Sequence, residues 1–234
     1  MTDSSRVLAA LDAVRDPELD TSIVELGFVS ACAVDGDGTA RVRLRLPTFF
    51  CAPNFAFLMI ADAYDAVTRL EGVVKADIVL EDHFAAAEIN VGVAARAGFV
   101  ASFDGLAEHE LDELRREFLR KAMLAAQDRV VRPLLARGVR PDELATLQLG
   151  DAPDSADRDR LRARRAELGI PSDDADPLLV QVDGTRVERG DVRVHLRRAR
   201  TVRVSVDVNT DYCRQLLNER YGAPAQPHDR DGRH

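Results

Sequence analysis

Reactive side chains are sparse: three cysteines, Cys32, Cys51 and Cys213, and five histidines in 234 residues. Cys51 stands out by its position. It follows the alternating run Arg41-Val42-Arg43-Leu44-Arg45-Leu46, which Pro47 interrupts, and it precedes Ala52-Pro53, where a helix can open with proline in its first turn. Unpaired amides and the positive end of a helix favour a thiolate, the form of cysteine that binds soft metals. Set between Phe50 and Phe55, the same sulfur also suits a core, as a small hydrophobe. Asp16 and Glu18, separated only by Pro17, have the types of an acid–base pair, or Asp16 simply shapes a turn.

The remaining candidates read more plainly. His83, after Glu81-Asp82, is expected in an exposed loop, although carboxylate neighbours also suit a transient iron site. His195 alternates outward with Arg193 and Arg197 on a strand, His109 lies on a polar helix face, and His228 and His234 lie in the tail. Cys32, mid-strand, and Cys213, opening the last helix, read as packing residues. No CxxC pair, phosphate loop, HExxH or GxSxG occurs, so a complete catalytic constellation is absent.

The elements that must position these residues are of two textures. From Ser5 to about Val93 the order is α-β-β-α-β. Ser4 or Ser5 caps a helix with Val7, Leu8, Leu11 and Val14 on its apolar face, and Pro17 limits it. Strands at 28–34 and 40–46 flank the Asp35-Gly36-Asp37-Gly38 turn, with Val42, Leu44 and Leu46 facing in and the arginines facing out. A helix over 54–70, a third strand over 73–80 and a further strand near 88–93 follow. Beyond Gly98 the spacing predicts a helix over 103–136 that Pro133 kinks or ends, and an exposed loop over 150–158. A short helix over 160–168, three strands at 179–182, 191–196 and 201–208, and a helix over 210–221 complete the chain. The fold class is therefore α+β: an αββαβ two-layer domain over 5–95, an appended region over 101–222 with a helical segment, an antiparallel β-region and a terminal helix, and a disordered tail over 223–234.

Apolar residues are 46%, charged residues 31% and the net charge is −8. An acidic chain disfavours nucleic acid as a partner. No apolar run approaches the roughly 18 residues of a membrane helix, and no signal peptide is expected at the N-terminus. Free thiols without a disulfide framework suit the cytoplasm.

In order, Leu11-Asp12-Ala13-Val14-Arg15-Asp16-Pro17-Glu18-Leu19, Ile23-Val24-Glu25-Leu26-Gly27-Phe28-Val29, the hairpin and Pro47-Thr48-Phe49-Phe50-Cys51-Ala52-Pro53 resemble the MIP18 family, or DUF59 domain, of iron–sulfur cluster assembly factors. The resemblance covers about 5–95 and implies a maturation factor, not an enzyme. It implies that the loop cysteine, here Cys51, handles iron or an iron–sulfur cluster in passing, with Asp16, Glu18, Thr48 and Pro53 in the supporting motif. The family places cysteine directly before proline, whereas Ala52 intervenes here. The implied partner is a client metalloprotein, a bacterial diiron monooxygenase hydroxylase by family analogy, and a homodimer is allowed. The alternative is a docking module or chaperone-like adaptor that uses the scaffold without metal.

Overall fold

The computed structural model describes residues 3–103 and 111–222. Two compact units are present. The first comprises the described parts of Met1–Asp16, Thr21–Glu110 and Thr210–His234; the second comprises Pro17–Asp20 and Leu111–Asn209.

The first unit opens with α1 (Ser4–Leu11), capped by Asp3, whose carboxylate accepts from the Arg6 amide at 3.0 Å. The cap thus lies one residue before Ser4 and two before Ser5, and the helix ends at Leu11, before the Pro17 restriction applies. Strands β1 (Val29–Val34) and β2 (Thr39–Arg45) pair antiparallel, and β2 pairs parallel with β3 (Lys75–Glu81), giving a three-stranded mixed sheet in the order β1-β2-β3. Gly38 closes the hairpin at φ +84°, and a Cβ there would meet the Val74 side chain. Between β2 and β3 runs α2 (Pro53–Thr68), which buries Phe57, Ile60, Ala63 and Val67 and packs on β3 and α1. Val42, Leu44 and Leu46 face the core as the alternation requires. Arg41, Arg43 and Arg45 lie on the opposite face, paired with Asp35, Asp77 and Glu81 at 2.7–2.8 Å.

The stretch near Glu88 is helix, not strand: α3 runs Ala86–Ala94, followed by α4 (Phe99–Ser102). A fourth strand is unnecessary because Asn90 occupies the outer edge of β3. Its amide accepts from the Leu80 N–H at 2.8 Å and donates to the Leu80 carbonyl at 3.0 Å, the two bonds a neighbouring strand would make.

In the second unit, α5 (Asp112–Ala136) continues through Pro133 and ends one turn later; residues 104–110 of the expected helix lie outside the described residues. Next come short 3₁₀ turns at Pro141–Thr146 and Leu149–Asp151, then α6 (Ala156–Leu168), capped by Ser155 and ended by Gly169 at φ +71°. The exposed loop therefore ends earlier than expected. The three expected C-terminal strands are not formed. Residues 178–187 hold one isolated bridge, Val180 with Arg186, and the backbone of Val180 is satisfied by the buried Gln127 amide at 2.9 and 3.1 Å. The other two strands and the last helix form one helix, α7 (Val192–Tyr221). Its buried residues, Val192, His195, Ala199, Val206, Thr210 and Leu217, recur at helical spacing, while the alternation-defining Val194, Val204 and Val208 face solvent. The 223–234 tail lies outside the described residues.

Candidate functional site

Cys51 lies where β2 gives way to α2. Pro47 ends the ladder, Ala52 is the helix N-cap and Pro53 begins the helix. Proline at this position loses nothing, because the first-turn amides have no partner inside the helix. Ala52 is non-helical, with φ −58° and ψ 123°. The extra residue between Cys51 and Pro53 therefore sits outside the helical twist, and the 100° turn per residue does not apply to the sulfur. The thiol is half-buried and lies 3.3 Å from the Thr48 hydroxyl, while the Cys51 amide reaches back to the Thr48 carbonyl at 3.5 Å.

His83 is the residue that fixes this loop. Contrary to its expected exposure, it is only 5% exposed. Its Nδ1 accepts from the Ala85 amide at 3.1 Å, so the proton sits on Nε2, which donates to the Cys51 carbonyl at 2.7 Å. Burial holds its pKa below the usual histidine value, against the hydrogen bond to Cys51 and with the Arg220 guanidinium adding to the lowering. Both ring nitrogens are engaged, so His83 positions the thiol loop and presents no free ligand atom. A second tie, Phe84 N–H to the Phe49 carbonyl at 3.1 Å, joins the same two segments.

The turn that aims His83 inward is left-handed at Asp82, φ +51°, a conformation non-glycine residues seldom take but Asp tolerates best. Tyr221 donates to the Asp82 carboxylate at 2.8 Å, and Arg220 binds that carboxylate at 2.6 Å and the Asp82 carbonyl at 3.0 Å. Arg220 also donates to the Leu46 carbonyl at 3.3 Å. Burial, then the bond to Asp82, pushes the Tyr221 phenol up to about 12, so it remains a donor at all physiological pH.

Around the thiol loop stand three exposed phenylalanines. Phe50 is 76% exposed, with Phe49 and Phe84 beside it; their ring centroids lie 5.0 to 6.4 Å apart. The rings form one exposed apolar patch beside the thiol loop.

The other sequence candidates fall elsewhere. Asp16 is buried and its N–H donates to the Thr21 carbonyl at 3.0 Å. Glu18 accepts from Asn209 at 3.3 Å within the second unit, where Arg164 also forms a buried ion pair with Asp20 at 2.7 Å. His195, expected on a solvated strand, is buried on α7. Cys213 lies inside α7, not at its start, so no helix end acts on it. Cys32 is half-buried in β1 and its thiol is pushed up by burial. His109, His228 and His234 lie outside the described residues. Among the described residues no three His, Cys, Asp or Glu side chains are grouped to hold a metal ion. Composition gave no sign of the clamp on Asp82, but Phe49, Phe50 and Phe84 beside Pro47 and His83 were a readable signal of an apolar rim.

The N-terminal part of the chain is similar to known proteins. A family model described as iron–sulfur cluster assembly protein matches residues 4–78. An uncharacterized protein of Methanocaldococcus jannaschii is 34% identical over 90 residues, 38% of this chain and 93% of that protein. No solved structure matches the chain. Cys51, Thr48 and Pro53 fall inside the matched span and His83 just beyond it. On this likeness the chain belongs, through its N-terminal part, to the iron–sulfur cluster assembly protein family.

Proposed function

We propose that the chain is an accessory factor that assists the assembly of an iron or iron–sulfur centre in a client protein, with Cys51 as the thiol that touches the transferred iron or cluster. The observation that supports this most is the loop itself: a half-buried thiol at a strand exit, its carbonyl held by buried His83, beneath an exposed aromatic rim. Iron–sulfur clusters take about four thiolate ligands. One thiol supplies one of them, so the remaining ligands come from the client or from a second copy of the chain. Such a site passes a cluster on; it does not store one. The rim of Phe49, Phe50 and Phe84 would seat the client beside the sulfur. A diiron monooxygenase hydroxylase as that client, and a reducing cytoplasm as the setting, rest on the family resemblance and the free thiols.

One observation favours a second reading. With both His83 nitrogens bonded and no third metal ligand grouped among the described residues, the rim alone would serve as a docking module without metal. Client activation separates the two. Cys51→Ala abolishes activation with the fold intact under the first reading and leaves it whole under the second, whereas Phe50→Ala weakens client binding under both.

A further inference from the structure

The second unit carries a groove that the assembly reading does not use. Helices α5 and α7 present Arg129 and Arg132 from one side and Arg197, Arg200 and Arg203 from the other. The arginines recur at three-residue spacing, which stacks them on one face of each helix. They line two adjoining cavities, of about 380 and 670 Å³, which share Arg132, Leu135 and Arg203 as a common wall. Leu135 and Leu196 supply apolar lining.

The charges are not all compensated. Arg203 pairs with Asp128 at 2.5 Å and with Asp207 at 2.6 Å, and Arg129 pairs with Asp207 at 2.5 Å. These pairs hold the groove's shape. The guanidinium groups of Arg132, Arg197 and Arg200 make no hydrogen bond or ion pair among the described residues, and all three residues are exposed. A chain of net charge −8 thus concentrates unpaired guanidinium groups in one concavity.

From this placement we infer that the groove binds a small phosphate-bearing anion, a diphosphate or triphosphate group, between Arg132 and the Arg197–Arg200 row. The cavities fall in the range of roughly 300 to 1,000 Å³ that suits small ligands. A planar guanidinium meets phosphate oxygens with two parallel hydrogen bonds, which a lysine cannot do. Multiple negative charges match three unpaired cations. The carboxylates of Asp128 and Asp207 are occupied by Arg203 and Arg129, and Asp157, 4.0 Å from Arg160, lines only the larger cavity, so the smaller one, with Arg132, Arg197 and Arg200, is the open position.

The test is isothermal titration calorimetry of the full chain in about 150 mM salt, where screening removes weak long-range attraction. Tripolyphosphate and ATP are the probes. Saturable binding of tripolyphosphate is expected, and tighter binding of ATP would identify a nucleotide as the source of the phosphates. The triple variant Arg132→Gln, Arg197→Gln, Arg200→Gln should lose about tenfold or more in affinity with its melting temperature unchanged, because the three exposed guanidinium groups make no hydrogen bond or ion pair among the described residues. Arg69→Gln, on the other unit, should bind as the parent does. The inference is overturned if neither probe gives saturable binding, if the triple variant binds equally well, or if an oligoglutamate peptide binds while both phosphate probes do not.

Discussion

Two adjacent side chains of different character make the thiol loop. Cys51 offers a sulfur that sequence position alone could not orient, and His83 spends both its ring nitrogens holding the backbone on either side. Its assignment as an exposed histidine rested on its place in a loop after the third strand, whereas left-handed Asp82 turns the chain so that His83 points inward. The three cysteines differ in surroundings. Cys32 lies in a strand with its thiol 3.7 Å from the Ser4 carbonyl, and burial disfavours its ionised form. Under limiting iodoacetamide near neutral pH, peptide mass spectrometry should find Cys51 carboxyamidomethylated before Cys32. The reverse order would mean that the Cys51 sulfur is closed to reagents and hence to a client's cluster.

Amide side chains stand in twice for missing strands, Asn90 at the edge of β3 and Gln127 at Val180. Replacing Asn90 with Leu keeps the branched heavy-atom shape but leaves the outer N–H and C=O of Leu80 unpaired, at a cost of about 1–3 kcal/mol. Chemical denaturation should show the loss as a lower midpoint with an unchanged slope; an unchanged midpoint would mean that water replaces the amide freely. These substitutions also explain what the sequence hid. The mixed sheet, the hairpin at Gly38 and the start of α2 at Pro53 were legible, because strict alternation, paired glycines and a first-turn proline each have one structural meaning. The long helix α7 was not. Residues 191–196 and 201–208 alternate like strands, yet the same stretch carries Val192, His195, Ala199 and Val206 at helical spacing, and packing in the second unit selects the second pattern. Near Glu88 a short apolar run carried no period at all, and α3 formed where a strand was expected. For the candidate site, the sequence supplied Cys51, Thr48 and Pro53; His83 and the clamp of Arg220 and Tyr221 on Asp82 join residues too distant along the chain for any spacing rule.

Among the described residues each compact unit buries one histidine whose protonation is disfavoured, His83 in the first and His195 in the second. Burial, with Arg198 nearby, pushes His195 down to about 4. An unfolded histidine takes its proton near 6.5, so between about 6.5 and 4 the unfolded state binds more protons and stability falls as acid is added. The contribution is complete above 6.5 and amounts to roughly 3 kcal/mol for His195. Melting temperatures across this window should drop toward pH 4, and His195→Leu should flatten the part due to the second unit; a parent protein equally stable at both ends would contradict the burial of these rings. Among the described residues no helix is long and apolar enough to cross a membrane. The proposed role of Cys51 is to touch the iron or cluster being transferred. Its most direct measurement is anaerobic incubation of the chain with ferric iron and sulfide, followed by visible absorption and by transfer to an apo iron–sulfur acceptor, for the parent and for Cys51→Ser. The parent should gain sulfur-to-iron charge-transfer absorption and load the acceptor, and Cys51→Ser, equally folded by circular dichroism, should do neither. Equal loading by the two proteins would contradict the claim.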